Sequence, residues 1–151
     1  MTDLSRYIIS RGQLETLASN AAKHRDARLI ETLYWLASRV SETVRLTKSQ
    51  LQRSQQGGIV VFTDRKNQHQ SKVPMENKRL YKDLERLGDQ GTTAYLFESE
   101  RGGHISRQHA HRIIKRLSRD CNIAPIPNKD HITPHTLRHS RARHLKDQGH
   151  D

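Results

Sequence analysis

The sequence predicts a mainly helical α+β domain carrying a small antiparallel β-hairpin or sheet. Three observations lead there. Several stretches repeat apolar residues at helical spacing, a single pair of compact extended runs lies between them, and the strand–helix alternation required by βαβ units is missing. The order reads helices, hairpin, helices, with no internal repeat and no low-complexity tract. A length of 151 residues suits one domain, or at most two small ones.

Residues 11–22 predict a short helix, with Leu14 and Leu17 on one face. Residues 25–37 predict a stronger one, since Ala27, Ile30, Leu33, Tyr34 and Ala37 follow helical spacing and Leu29 and Leu36 widen the stripe. The segment 38–51 reads as a second short helix capped by Ser41, with Val44 and Leu51 inward. The period then changes. Gly57-Gly58 marks a turn, Ile59 to Phe62 a strand, and Lys72 to Met75 its return, with Pro74 at an edge. Between the two runs lies a long, polar, basic tip.

Residues 77–87 predict an amphipathic helix capped by Asn77 and stopped by Gly88, with Tyr81 on its surface. Ala94 to Phe97 is a short extended piece, and Arg101-Gly102-Gly103 is a turn. Ser106 caps a helix over 107–120, with Ala110, Ile113, Ile114 and Leu117 inward and Arg107, Arg112, Lys115, Arg116 and Arg119 outward. Residues 122–131, with Pro125 and Pro127, read as a loop. Thr133 followed by Pro134 then opens a last helix through about Gln148.

Composition narrows the function. Hydrophobic residues are 32% and aromatics 5%, while 27 Lys+Arg against 16 Asp+Glu leave a formal charge of +11. The basic residues are spread along the chain and not gathered in a tail, so the charge belongs to the folded body, and such a surface attracts polyanions. The single cysteine, Cys121, excludes an internal disulfide framework and a cysteine-clustered zinc site, and reads as a small hydrophobe. No apolar run approaches the roughly 20 residues of a membrane span, and the first residues lack the pattern of a secretory signal. His104, His109 and His111 are close in sequence, but no carboxylate or thiol completes a metal-ligand set beside them.

Four features stand out chemically: Arg39-x-x-Glu42, Lys66 in the hairpin tip, Pro134-His135-Thr136-Leu137-Arg138-His139 at the last helix start, and the basic helix 107–120. His135 and Arg138, three apart on a helix, present an imidazole and a guanidinium on one face, while His139 packs or bonds locally. A second arginine and a lysine would complete a cage around a phosphate, the donor set that phosphoryl transfer needs as charge spreads over the non-bridging oxygens. A lysine or histidine there could also protonate a leaving oxygen.

At these residues the chain resembles the tyrosine recombinases, the phage-integrase family. ASRVSETVRLTKSQL, the hairpin lysine ahead of Val73-Pro74, LFESERGGHISRQHAHRIIKRL and PHTLRHSRARHLKDQGHD each resemble a stretch of that family, the last most specifically, and the resemblance as a whole spans residues 10 to 151. The resemblance implies the helical catalytic domain of DNA breaking-rejoining enzymes. It casts Arg39, Lys66, His135 and Arg138 as catalytic groups, Glu42 as a supporting carboxylate and Lys66 as the acid for the 5′-hydroxyl leaving group. Lys72 is the alternative hairpin lysine. Helix 107–120 becomes a DNA-contacting face through Arg107, Gln108, Arg112 and Lys115. The implied reaction proceeds through a 3′-phosphotyrosyl link without metal, ATP or other cofactor. The implied partners are double-stranded DNA and other recombinase protomers in a synaptic complex, in the nucleoid-associated cytoplasm of a bacterium or of the host of a phage or plasmid.

Two departures accompany the resemblance. Ala37-Ser38 stands where the family usually has Thr-Gly before the first arginine. The expected organisation is one partial catalytic domain over 1–151, without the DNA-clamping N-terminal domain and without the nucleophile segment. None of Tyr7, Tyr34, Tyr81 and Tyr95 occupies the nucleophile's place, and Tyr34 reads as core. Two other functions fit the same residues: a naturally short, non-enzymatic DNA-binding relative that regulates or competes with a recombinase, and a type IB topoisomerase-like enzyme.

Overall fold

Capping chemistry sets most of the helix starts. In a computed structural model of the chain, which describes residues 8–64, 66–124 and 129–149, Ser10 and Gln13 close a reciprocal capping box at the head of α1 (Arg11–Asn20). The central helix α2 (His24–Trp35) follows, then α3 (Val40–Thr43), a 3-10 turn at Lys48–Gln50 and three strands, β1 (Leu51–Ser54), β2 (Gly57–Thr63) and β3 (Gln70–Met75). Asn77 Oδ1 accepts from Leu80 N at the start of α4 (Lys78–Gln90), and Ser106 Oγ accepts from His109 N at the start of α5 (Arg107–Asp120). Before α6 (Pro134–Asp147), Thr133 N donates to Thr136 Oγ1, and Pro134 occupies the first turn, where its missing N–H costs nothing. Tyr7, Pro125 and Pro127 lie outside the described residues.

Helix α2 is buried along seven of its residues and packs against α1, α3, α4, α5 and α6. Its apolar residues cover a broad face against the other helices, while Arg25, Asp26, Arg28 and Glu31 form ion pairs. Leu29, Ile30, Leu33 and Tyr34 are fully buried with Leu80 and Leu84 of α4, Ile114 of α5 and Leu137 of α6. The inward residues expected for 107–120 are all buried. Among the described residues no helix is long and apolar enough to cross a membrane.

The region after α2 departs most from the sequence reading. The helix expected over 38–51 is a four-residue turn capped by Arg39 and not by Ser41. Beyond it, Thr47 bridges to Tyr95, and Leu51 to Ser54 form a strand against β2. The sheet is therefore three-stranded, ordered β1-β2-β3 and antiparallel throughout. Strand β1 is polar and mostly exposed, so pairing with β2 makes it a strand where its own pattern does not. The turn falls at Gln55-Gln56, and Gly57-Gly58 instead begins β2. Gly58 is needed for close approach, because a Cβ there would lie 2.0 Å from Tyr81 Cδ2. Tyr81, expected on the surface of α4, is 3% exposed with its ring on that glycine. Pro74 is exposed on the edge strand β3, as expected.

Helix α4 runs past Gly88 to Gln90 and stops before Gly91. At Gly88 a Cβ would meet Lys48 Cβ at 3.1 Å and Leu96 Cδ2 at 3.2 Å, so that glycine lets other chain segments approach and does not end the helix. On α6, Arg141 is 3% exposed. Its guanidinium lies 4.6 Å from the Trp35 ring centre and 5.6 Å from that of Tyr34, and Nη2 donates to Glu76 Oε2 at 2.9 Å.

Candidate phosphate site and nucleic-acid interface

The end of α2 sets the position of Arg39. Leu36 N still bonds Thr32 O, but Ala37 turns into the left-handed region at φ 48° and the chain reverses. Ser38 Oγ lies 2.6 Å from Thr43 Oγ1, which itself donates to Arg39 O at 2.8 Å, and Glu42 N donates to the same carbonyl. With Thr43 N also donating at 2.9 Å, the Arg39 carbonyl accepts from three donors while its side chain is exposed. The pair that replaces Thr-Gly carries this geometry: Ala37 makes the reversal and Ser38 supplies the hydroxyl that locks it.

The start of α6 is anchored from two sides. Ile9 N donates to Ser140 Oγ at 2.9 Å, and Ser140 Oγ donates to Thr136 O. Ile132 N donates to Ser118 Oγ of α5 at 3.1 Å. With the first turn fixed, His135 stands exposed and Arg138 half-buried on the outer face, and His135 stacks on His139 with ring centres 6.3 Å apart.

These two anchored turns meet α5 at a cavity of about 180 Å³ lined by Ser38, Arg39, Val40, His111, Pro134, His135 and Arg138. No carboxylate lines it, and neither Arg39 nor Arg138 forms an ion pair with another described residue. Two guanidiniums, with their charge uncompensated by any described carboxylate, and two imidazoles therefore face one small volume. Such a volume suits a tetrahedral anion, because planar guanidinium forks donate to two oxygens at once.

Three of the four residues that the sequence reading assigns to catalysis line this cavity, and Lys66 does not. Lys66 sits in the loop from β2 to β3, its backbone N–H on Asp64 Oδ1 and its side chain exposed. The alternative, Lys72, is exposed on β3 opposite Val61. Glu42 is exposed beside the site, in no ion pair with a described residue. On α5, Arg107, Gln108 and Arg112 are exposed and Lys115 is half-buried.

The sequence reading missed His111. It was weighed with His104 and His109 as a metal ligand, yet the three go to different places. His104 Nδ1 lies 2.7 Å from Ile105 O with its ring against Tyr95, His109 is half-buried, and His111 lines the cavity. Among the described residues no three His, Cys, Asp or Glu side chains gather to hold a metal ion. A usable signal was present: His111 is four residues from both Arg107 and Lys115, at the centre of the basic stripe. Burial, and then the neighbouring Arg107 charge, hold its imidazole below the ordinary histidine value. None of the described tyrosines reaches the cavity. Tyr34 OH is 2.6 Å from His144 Nδ1 in the core, Tyr81 lies under the sheet, and Tyr95 packs on His104.

The family model described as "Phage integrase family" matches residues 9–151. A tyrosine recombinase XerC of Pelobacter propionicus is 33% identical over 130 residues, covering 84% of this chain and 40% of the relative. A tyrosine recombinase XerD of Staphylococcus epidermidis is 36% identical over 135 residues, covering 85% of this chain and 43% of the relative. The chain thus spans about two fifths of the length of the curated relatives it matches. Among solved structures, the XerA recombinase superposes with a TM-score of 0.77 at 23% identity, over 95% of this chain and 52% of that one. The XerH site-specific recombinase bound to its difH substrate gives 0.75 at 16% identity, over 98% and 42%. These two likenesses establish the fold.

Proposed function

The chain belongs to the phage integrase family, and from that premise we propose that it is the phosphate-holding part of a site-specific tyrosine recombinase, binding double-stranded DNA in integration or recombination. One observation carries the reading: Arg39, His135 and Arg138, far apart in sequence, line a single cavity without a carboxylate. In this reading the scissile phosphodiester sits between the two guanidiniums, which donate to its non-bridging oxygens and strengthen their hold as negative charge builds during displacement. His135 adds an N–H donor from the first turn of α6. Lys66, brought in when the β2–β3 loop meets the duplex, protonates the 5′-oxygen as it leaves. Glu42 steadies the Arg39 turn. Along α5, Arg107, Gln108, Arg112 and Lys115 hold neighbouring phosphates of the backbone.

Every donor invoked is a side chain, so no step of this reading passes through a metal or a nucleotide cofactor. The nucleophile of the exchange reaction is not Tyr34, Tyr81 or Tyr95, since each is held elsewhere by its own packing. The relatives' activity further suggests action beside other protomers on DNA in the cytoplasm of a bacterium or of the host of a mobile element.

The test is duplex binding by Arg39→Ala and Arg138→Ala variants, followed by fluorescence anisotropy. Each loses a charged donor to phosphate, and affinity should fall roughly tenfold or more with circular dichroism unchanged. Wild-type affinity in both variants would overturn the assignment.

A further inference from the structure

Two features of helix α5 meet at one side chain. Its exposed basic stripe carries Arg107, Gln108, Arg112 and Lys115, and its wall of the cavity carries His111, which the stripe surrounds. Facing His111 are Arg39 from the start of α3, His135 and Arg138 from the start of α6, and Arg107 one turn back on its own helix. No carboxylate lines that volume. A neutral imidazole has a single N–H to give, and a protonated one has two and a charge.

We propose that His111 is a phosphate-contact residue of this site, bonding a non-bridging oxygen of the DNA strand held between Arg39 and Arg138 and taking up a proton as it does so. The inference rests on the reading of the cavity as a phosphodiester site. Burial, and then the Arg107 charge, hold the His111 imidazole below its ordinary value in the free protein, which favours its neutral form. A phosphodiester among the same groups reverses the sign of the local charge and favours the imidazolium. Binding is therefore linked to proton uptake and tightens as pH falls through the imidazole range. The contact also joins the stripe to the cavity, so that the strand tracked along α5 enters between the arginines without a gap in donors.

The experiment measures the affinity of the whole 151-residue chain for a fluorescein-labelled DNA duplex by anisotropy, at about pH 6 and about pH 8, either side of the ordinary imidazole value. Wild type should bind about threefold more tightly at the lower pH, as proton uptake on binding requires. His111→Gln keeps an N–H but cannot charge, so it should lose the tightening that wild type shows between about pH 8 and about pH 6. His111→Ala should bind roughly tenfold more weakly at both pH values. His111 is exposed, so both variants keep α5 and the same melting temperature. Wild-type affinity and pH profile in both His111 variants, with Arg39→Ala and Arg138→Ala weakened, would overturn this inference and leave the site standing. Wild-type binding in all four would sink both. An unchanged pH profile in His111→Gln would overturn the proton uptake even where His111→Ala binds weakly.

Discussion

Between α2 and α4, Arg28, Arg79 and Arg86 share Glu31 and Asp83, whereas around the cavity Arg39 and Arg138 share no acid with any described residue. In the first region every guanidinium has an acidic partner within the protein, two carboxylates serving three arginines. Arg28 Nε lies 2.9 Å from Glu31 Oε1, Arg79 bonds both acids, and Arg86 reaches Asp83 at 3.7 Å. That network cross-links two helices and leaves nothing for a ligand. The second region costs the fold the repulsion of like charges and is held open by backbone bonds and hydroxyls in place of counter-charges. Both regions are rich in arginine, so arginine content alone does not mark a binding site. What marks it is charge left uncompensated on rigid turns.

Salt should separate the two most strongly. If roughly five phosphates are neutralised, log K against log salt has a slope near −4 to −5, so a tenfold rise in salt weakens duplex binding by about 10⁴-fold. The internally paired network barely responds, and the melting temperature should move little over the same range. A slope near zero would remove the uncompensated surface from the argument.

Mutation separates them next. Glu31 is 7% exposed, and Glu31→Gln leaves Arg28 and Arg79 with Asp83 as their one remaining shared acid. That should cost about 2 kcal/mol of stability, less than a fully buried pair because Arg79 is half in water. Chemical denaturation should show this loss while duplex affinity stays at the wild-type value, the reverse of the outcome for Arg138→Ala. Loss of DNA affinity in Glu31→Gln would blur the distinction.

Acidification gives a smaller contrast of opposite sign. Burial is the first cause holding His109, His111 and His144 below the ordinary imidazole value. The unfolded chain takes up these protons near pH 6.5 and the folded chain only lower, so stability is lost as pH falls through that range. Calorimetry should find a lower melting temperature on the acid side of about pH 6.5, where DNA binding is tighter. A rising melting temperature there would contradict the desolvation that lowers these imidazoles.

The smallest effect concerns the turn that carries Arg39. Ala37 at φ 48° pays a left-handed backbone penalty that glycine avoids, offset by glycine's greater freedom in the unfolded chain. Ala37→Gly should raise stability by about 0.5–1 kcal/mol, read as a small upward shift in denaturation midpoint. A decrease would mean that the reversal is held by contacts of the Ala37 methyl.

The legible parts of the molecule were those whose chemistry is local. Thr133-Pro134 announces the start of α6, and the spacing of His135 and Arg138 puts them on one face wherever that helix packs. The stripe on α5 fixes its inward and outward sides without reference to the rest of the chain. What sequence hid depends on contacts between distant segments. Strand β1 is polar and exists because β2 lies beside it. Gly58 looked like a turn residue because the Tyr81 ring above it is 23 positions away in sequence. His111 was grouped with its neighbours along the chain, although its partners come from the starts of α3 and α6. Lys66 stands apart from the cavity because nothing within its own loop directs it there.

Arg141 sets the angular position of α6. One residue step on an α-helix is a rotation of about 100°, and Arg141 can satisfy its charge only where Glu76, Trp35 and Tyr34 meet. The helix is keyed like a shaft in a slot: a turn by even one position would expel a buried guanidinium from its acid. Arg138 and His135, about one and two turns earlier, inherit that bearing. Glu76 directly follows β3, so the same key ties the compass heading of the phosphate-facing arginine to the strand that returns from the lysine loop.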